Sequence, residues 1–229
     1  MGNGRLNLPP MRLIILAAVA GIVAGGVAVY VSGGLSGNQP GDMAVQAPGE
    51  PGSCPAKADR AKAVAAKATG DVAAMLAADP PQSLKFLSFN GPDGEPLTLA
   101  DKSGKTLLVN LWATWCAPCR AEMPALDSLQ ATNGGPGFEV VAINVDVGDD
   151  AKPKKFLAET NVKSLAYYRD ATMGVFNALK ERALALGLPV TLLIDPEGCL
   201  IAGMNGPADW SGPDAAKLIE AALAGQAAP

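Results

Sequence analysis

Four cysteines carry most of the chemistry open to this sequence. They stand at positions 54, 116, 119 and 199, and the middle two lie in Trp112-Ala-Thr-Trp115-Cys116-Ala-Pro-Cys119-Arg120. A thiolate is the nucleophile of disulfide exchange. At the amino terminus of a helix, free N–H groups and the helix dipole favour an anion, so Cys116 placed there has a lowered pKa. Cys119 then lies one turn on, within reach to attack a mixed disulfide and release a bound substrate. Pro118 fits the first turn of such a helix without losing a needed N–H. The alternatives for the pair are an inert disulfide or half of a metal site.

Histidine is absent from the 229 residues. That excludes a Cys-His or Ser-His catalytic pair within the chain. A c-type haem attachment needs His after the second Cys, where Arg120 stands. A zinc site would have to draw on the four cysteines, whose spacing does not fit a two-plus-two pattern. No cofactor is expected. The formal net charge is -4 with no basic patch, which argues against nucleic acid as a partner. The hydrophobic content of 49% and charged content of 17% are those of a globular protein.

The elements that must position the pair follow from hydropathy and punctuation. Thr106 to Trp112 is a near-continuous apolar run, as expected of a strand covered on both faces. A helix over about Cys116 to Gln130 follows it. Further on, the pattern predicts a strand over Phe138 to Val147, a short helix over Pro153 to Glu159, a short strand over Ala166 to Tyr168 and a helix over Thr172 to Leu184. Strands over Val190 to Asp195 and Cys199 to Ala202 are joined by Asp195-Pro196-Glu197-Gly198, a type I turn sequence. A last helix covers Pro213 to Ala224. Ahead of the pair, an Ala-rich helix is expected from a Ser53 cap through Ala56 to Ala78, with a break at Gly70-Asp71 and a stop at Asp79-Pro80-Pro81. Ser83 to Phe89 alternates as a first strand, and Gly91 to Gly94 is a turn. The class is α/β, a central sheet covered by helices. Trp112 and Trp115 are read as packing residues, and Lys152, Lys154 and Lys155 as a solvated cluster near a loop.

The amino terminus sets the compartment. Leu13 to Val31 is an uncharged apolar run of 19 residues, preceded by Arg5 and Arg12 and followed by no Lys or Arg before Lys57. It is long enough to cross most of a hydrocarbon core of about 30 Å. The positive-inside bias puts residues 1–12 in the cytoplasm and the remainder across the membrane. A cleaved signal peptide is the competing reading, and it exports the domain equally. Residues 32–53 read as a flexible tether, and 54–229 as the folded domain.

Trp-Cys-x-x-Cys after a buried strand resembles the thioredoxin superfamily. Pro124 matches that family's kinking proline, and Leu188-Pro189-Val190 matches its cis-proline, which lies beside the redox pair and helps position substrate. The resemblance therefore implies a thioredoxin-like fold, a central mixed sheet flanked by helices, here with an extra amino-terminal helix and a transmembrane anchor. Thioredoxins proper carry a buried Asp six residues before the first Cys, where this sequence has Asn110. The exported, membrane-anchored reductases instead carry a Glu three residues after the second Cys, which is Glu122 here. Residues i and i+3 share a helix face, so Glu122 can exchange protons with Cys119. The bland reading of Glu122 is a solvated helix carboxylate.

In an oxidising compartment an even Cys count favours pairing. With Cys116 and Cys119 engaged, Cys54 and Cys199 are left to form a bridge that pins the extra helix to the sheet. The alternative is two unpaired buried thiols. These features, with Gly206-Pro-Ala-Asp-Trp210, resemble the TlpA-like membrane-anchored thiol:disulfide interchange proteins. Ala117-Pro118 offers no positive charge between the sulfurs, which favours a dithiol reductant over an oxidant. The resemblance implies a transmembrane electron donor of the DsbD or CcdA type. It also implies client disulfides in oxidase assembly, on a Sco-type copper chaperone or an oxidase copper-site subunit. Apocytochrome c is the client of neighbouring reductases. A Cu(I)-binding chaperone module is the alternative outside this class, since soft thiolates suit Cu(I).

Overall fold

The computed structural model describes residues 54–224. The expected cytoplasmic tail 1–12, anchor 13–31, tether 32–53 and Ser53 cap lie outside the described residues, as do 225–229. Among the described residues no helix is long and apolar enough to cross a membrane.

Among the described residues eight strands form one mixed sheet. They are β1 (Leu76–Ala77), β2 (Ser88–Asn90), β3 (Pro96–Thr98), β4 (Thr106–Trp112), β5 (Phe138–Asn144), β6 (Tyr168–Arg169), β7 (Val190–Ile194) and β8 (Leu200–Asn205), in the spatial order β1-β8-β7-β4-β5-β6-β2-β3. The α-helices among the described residues are α1 (Ala58–Ala65), α2 (Ala117–Asn133), α3 (Ala151–Glu159), α4 (Gly174–Glu181) and α5 (Pro213–Leu223).

β4 is central because its sequence, TLLVNLW, leaves neither face fit for water; every residue is buried. It pairs in parallel with β5, Thr106 opposite Phe138 through to Trp112 opposite Asn144, and antiparallel with β7, Leu107 opposite Ile194 through to Leu111 opposite Val190. The strand therefore delivers the chain directly to the start of α2, whose cap residue is Cys116. Gly198, at a φ of +81° that favours glycine, closes the expected Asp195–Gly198 turn between β7 and β8.

Two expectations fail, each for a physical reason. The Ala-rich segment is not helical to Ala78. It forms a 3-10 turn at Cys54–Lys57, then α1, then a second 3-10 turn at Gly70–Val72. Gly70 turns the chain with a φ of +52°, and Leu76 and Ala77 pair with Gly203 and Ala202 of β8. Backbone bonds to an otherwise open sheet edge outweigh the helix propensity of alanine. Nor is Ser83 to Phe89 a strand. Ser83 makes one bridge to Cys199, Leu84 and Leu87 are both buried, and pairing starts only at Ser88. Two buried leucines three residues apart belong to a turn, and the Leu87 N–H donates to the Leu84 carbonyl at 3.1 Å. The β2–β3 hairpin around the expected Gly91–Gly94 turn then extends the sheet.

Candidate active site

Cys116 caps α2, and its Sγ accepts the backbone N–H of Cys119 at 3.2 Å. The two sulfurs are joined in a disulfide with a Cα–Cα distance of 5.3 Å. Both cysteines are buried, Cys119 fully and Cys116 to 5% exposure. On reduction the same N–H and the dipole of a 17-residue helix face a thiolate at Cys116. Pro118 stands in the first turn and Pro124 inside the helix, where it offers no N–H to the Arg120 carbonyl.

Trp112 and Trp115 differ, contrary to the reading of both as packing residues. Trp112 is buried against Phe156, with ring centroids 5.7 Å apart. Trp115 is 65% exposed immediately before Cys116. It follows the end of β4, where the chain leaves the sheet and no element covers the side chain. Val147, past the end of β5, and Leu186, in the loop before Pro189, are also exposed at this end of the sheet. The Leu188–Pro189 peptide bond is cis. Leu111 faces Val190, so one residue further along the register Pro189 lies beside Trp112, at the end of the sheet where α2 begins. The Pro189 carbonyl accepts the Gly206 N–H at 2.9 Å.

Glu122 is not a solvated carboxylate. It is buried on α2, one turn after Cys119. Oε1 accepts the Asn110 amide at 2.7 Å, and Oε2 accepts the Ala208 N–H at 3.2 Å and the Trp210 indole N–H at 3.3 Å. Burial pushes its pKa up to about 7, against the opposing effect of these three bonds, which favour the charged form. Asn110 also donates to Thr191 Oγ1 at 3.0 Å. The departure from the thioredoxin Asp therefore puts an amide donor where a second carboxylate would have met Glu122. Sequence reasoning missed Thr191 and Trp210 as parts of this network. A signal existed, since Asn110 and Thr191 are polar residues in apolar strands and face each other in register.

Cys54 and Cys199 form the second disulfide, with a Cα–Cα distance of 5.3 Å and a sequence separation of 145. Beside it, Lys57 Nζ pairs with Asp195 Oδ2 at 2.5 Å and Glu197 Oε2 at 2.6 Å, so the amino-terminal segment is held to the β7–β8 turn both covalently and by charge. The lysine cluster lies in the first turns of α3, beside the loop that follows β5. There Lys154 pairs with Asp150 at 2.5 Å and Lys155 with Glu159 at 3.7 Å, all exposed.

The chain is similar to known proteins. The family model described as Redoxin matches residues 77–219. A thioredoxin-like protein, YneN, of Bacillus subtilis is 33% identical over 124 residues, covering 53% of this chain and 65% of its own length. The thiol-disulfide oxidoreductase ResA of Bacillus subtilis is 28% identical over 114 residues, 50% of this chain and 60% of that protein. The chain thus spans just under two-thirds of the length of these curated relatives. Among solved structures, a thiol:disulfide interchange protein, a thioredoxin family protein from Chlorobium tepidum, is 27% identical. It matches with a TM-score of 0.51 over 62% of this chain and 97% of that one. A secreted thiol-disulfide isomerase from Corynebacterium glutamicum, 21% identical, shares the fold with a TM-score of 0.53 over 68% of this chain and 93% of its own.

Proposed function

The chain belongs to the Redoxin family, and from that premise we propose that it is a thiol–disulfide oxidoreductase that reduces client disulfides outside the cytoplasm. The observation that carries the reading is the Cys116–Cys119 pair at the cap of α2, with the buried Glu122 one turn beyond. The Cys116 thiolate attacks one sulfur of a client disulfide. A mixed disulfide forms and the client's other sulfur leaves as a thiolate. Glu122, as carboxylate, takes the proton of Cys119. The Cys119 thiolate then attacks Cys116 Sγ, the second client sulfur leaves, and the Cys116–Cys119 disulfide closes. Two electrons pass to the client, whose thiolates take up protons. A carboxyl with a pKa of about 7 is suited to that transfer near neutral pH.

Trp115, Val147 and Leu186 give the client an apolar surface around the sulfurs, and Pro189 positions its backbone beside them. The Cys54–Cys199 bridge supports an oxidising compartment, and the apolar run 13–31 supports an anchor that holds residues 54–229 on the periplasmic face of the inner membrane. Clients of the TlpA-like proteins, a Sco-type copper chaperone or an oxidase copper-site subunit, are the proposed targets, with a transmembrane donor of the DsbD or CcdA type returning the electrons. The relatives named as thiol-disulfide oxidoreductases support the reaction class.

The reduction potential of the Cys116–Cys119 pair tests the direction of electron flow. Titration of the purified protein against glutathione and dithiothreitol, followed by tryptophan fluorescence, is expected to give a value towards the thioredoxin end, about -270 mV. A value near -120 mV, as for strong disulfide-forming oxidants, would make the protein an oxidant.

A further inference from the structure

Asp146 follows β5 and is only 7% exposed. Its carboxylate is bonded to neutral groups. Oδ2 accepts the Thr114 backbone N–H at 2.9 Å and the Asn144 amide at 2.8 Å, and Oδ1 accepts the Thr114 hydroxyl at 2.9 Å. Arg169 donates to the Asp146 backbone carbonyl at 3.3 Å and to the Gly148 carbonyl. Thr114 lies two residues before Cys116, inside the turn closed by the Cys116 N–H on the Ala113 carbonyl at 3.1 Å. One carboxylate therefore holds both donors of the residue that sets the approach of the chain to the attacking sulfur.

We infer that Asp146 is a positioning residue that clamps the Thr114 turn and whose charge opposes the thiolate at Cys116, keeping the pair reducing. The inference rests on the pair being redox-active. A nearby like charge disfavours an anion. The disulfide carries no charge, and the reduced pair carries one once Cys116 has lost its proton. A carboxylate nearby therefore raises the free energy of the reduced form alone, and a less stable reduced form is a stronger reductant. The charge works against the helix dipole and the Cys119 N–H, both of which favour the thiolate. Arg169 on β6, Asp149 in the loop after β5, Lys152 on α3, and Arg120 and Glu122 on α2 are other charged groups of this neighbourhood. They are unchanged when Asp146 alone is replaced.

Asp146→Asn in the full chain keeps the shape and removes the charge; its amide oxygen can accept the Thr114 and Asn144 N–H groups while its NH2 donates to the Thr114 hydroxyl, which reverses that hydroxyl's role. The expected result at pH 8 is a glutathione equilibrium displaced at least threefold towards the dithiol. At 29.6 mV per tenfold for a two-electron couple this is a rise of about 14 mV. Thiolate absorbance of Cys116 should appear at lower pH by about half a unit. At pH 5 the difference between variant and parent should be smaller, and it should vanish below the pH at which the thiolate absorbance is lost. Thr114→Val removes the hydroxyl bond and keeps the charge, and it should not raise the potential. An unchanged potential at pH 8, an equal shift at both pH values, or the same rise in Thr114→Val would each overturn the inference. A parent protein that proves to be an oxidant would overturn the proposed reductase and leave the Asp146 comparison readable.

Discussion

The side-chain amide of Asn110 donates to Glu122 at 2.7 Å, joining the middle of the central strand to the helix that Cys116 caps. An amide donor there leaves Glu122 as the acid of the pair, and burial sets its proton affinity.

Glu122→Gln is expected to change stability in a pH-dependent way. The folded protein holds the Glu122 proton to about pH 7, whereas an exposed Glu releases it near 4.5. Its contribution to stability is present in full below about pH 4.5 and is lost as pH rises through 7. A shift of this size corresponds to a cost of up to about 3 kcal/mol at alkaline pH. The Gln variant escapes that cost, so its unfolding free energy should exceed the parent's at pH 8 and approach it at pH 4. The same variant should resolve mixed disulfides at least tenfold more slowly at pH 7, given the usual scale of proton-transfer catalysis. Urea titration at the two pH values and stopped-flow reduction of a model disulfide check the two halves.

Asn110→Asp would set a second carboxylate against the first. Two carboxyls in contact cannot both ionise cheaply. The pair should hold one shared proton to well above pH 7, and the variant should lose stability as pH rises from 5 to 9. A Tm series across that range, compared with the parent, reads the effect.

Cys119→Ser leaves Cys116 able to attack and removes the resolving sulfur. The variant should accumulate as mixed disulfides with its clients, recoverable by non-reducing electrophoresis and released by dithiothreitol, while Cys116→Ser should trap none. A variant that captures no partner in its own membrane fraction would count against the client-reduction reading.

Replacing Cys54 and Cys199 together by Ser opens a loop whose ends are separated by 145 in sequence. The chain-entropy model assigns such a loop about 5 kcal/mol, and removal of native bridges commonly costs about 2–5 kcal/mol. The Tm should fall by several degrees or more, and the Cys116–Cys119 potential should hold. Calorimetry of the variant, with a potential measured below its Tm, separates the two.

The parts of the fold legible in the sequence were those whose burial leaves no choice. The apolar run of β4 and the helix after Cys116 appear where the pattern puts them, with α2 extending to Asn133. Of the β2–β3 hairpin the Gly91–Gly94 turn was legible, but the strands' bounds and their pairing were not, because strands of three residues with exposed positions carry too little periodicity. The fate of the Ala-rich segment depended on β8, a partner more than a hundred residues away, and local propensity cannot encode that. Within the site, Cys116, Cys119 and Glu122 could be found from spacing and resemblance. The contacts of Trp210, Ala208 and Asp146 are made across the chain, and only the folded register brings the first two to Glu122 and the third to Thr114.

Both margins of the sheet are short. β1 offers two residues, and β3 offers three and begins with Pro96, which has no N–H to give. Neither border provides a ladder along which a foreign strand could zip, so stacking into fibrils finds little template. For the proposed reductase of client disulfides, blunt borders have a second effect. They turn away extended segments that seek only a backbone partner, and they leave the sulfurs as the place where such chains are held.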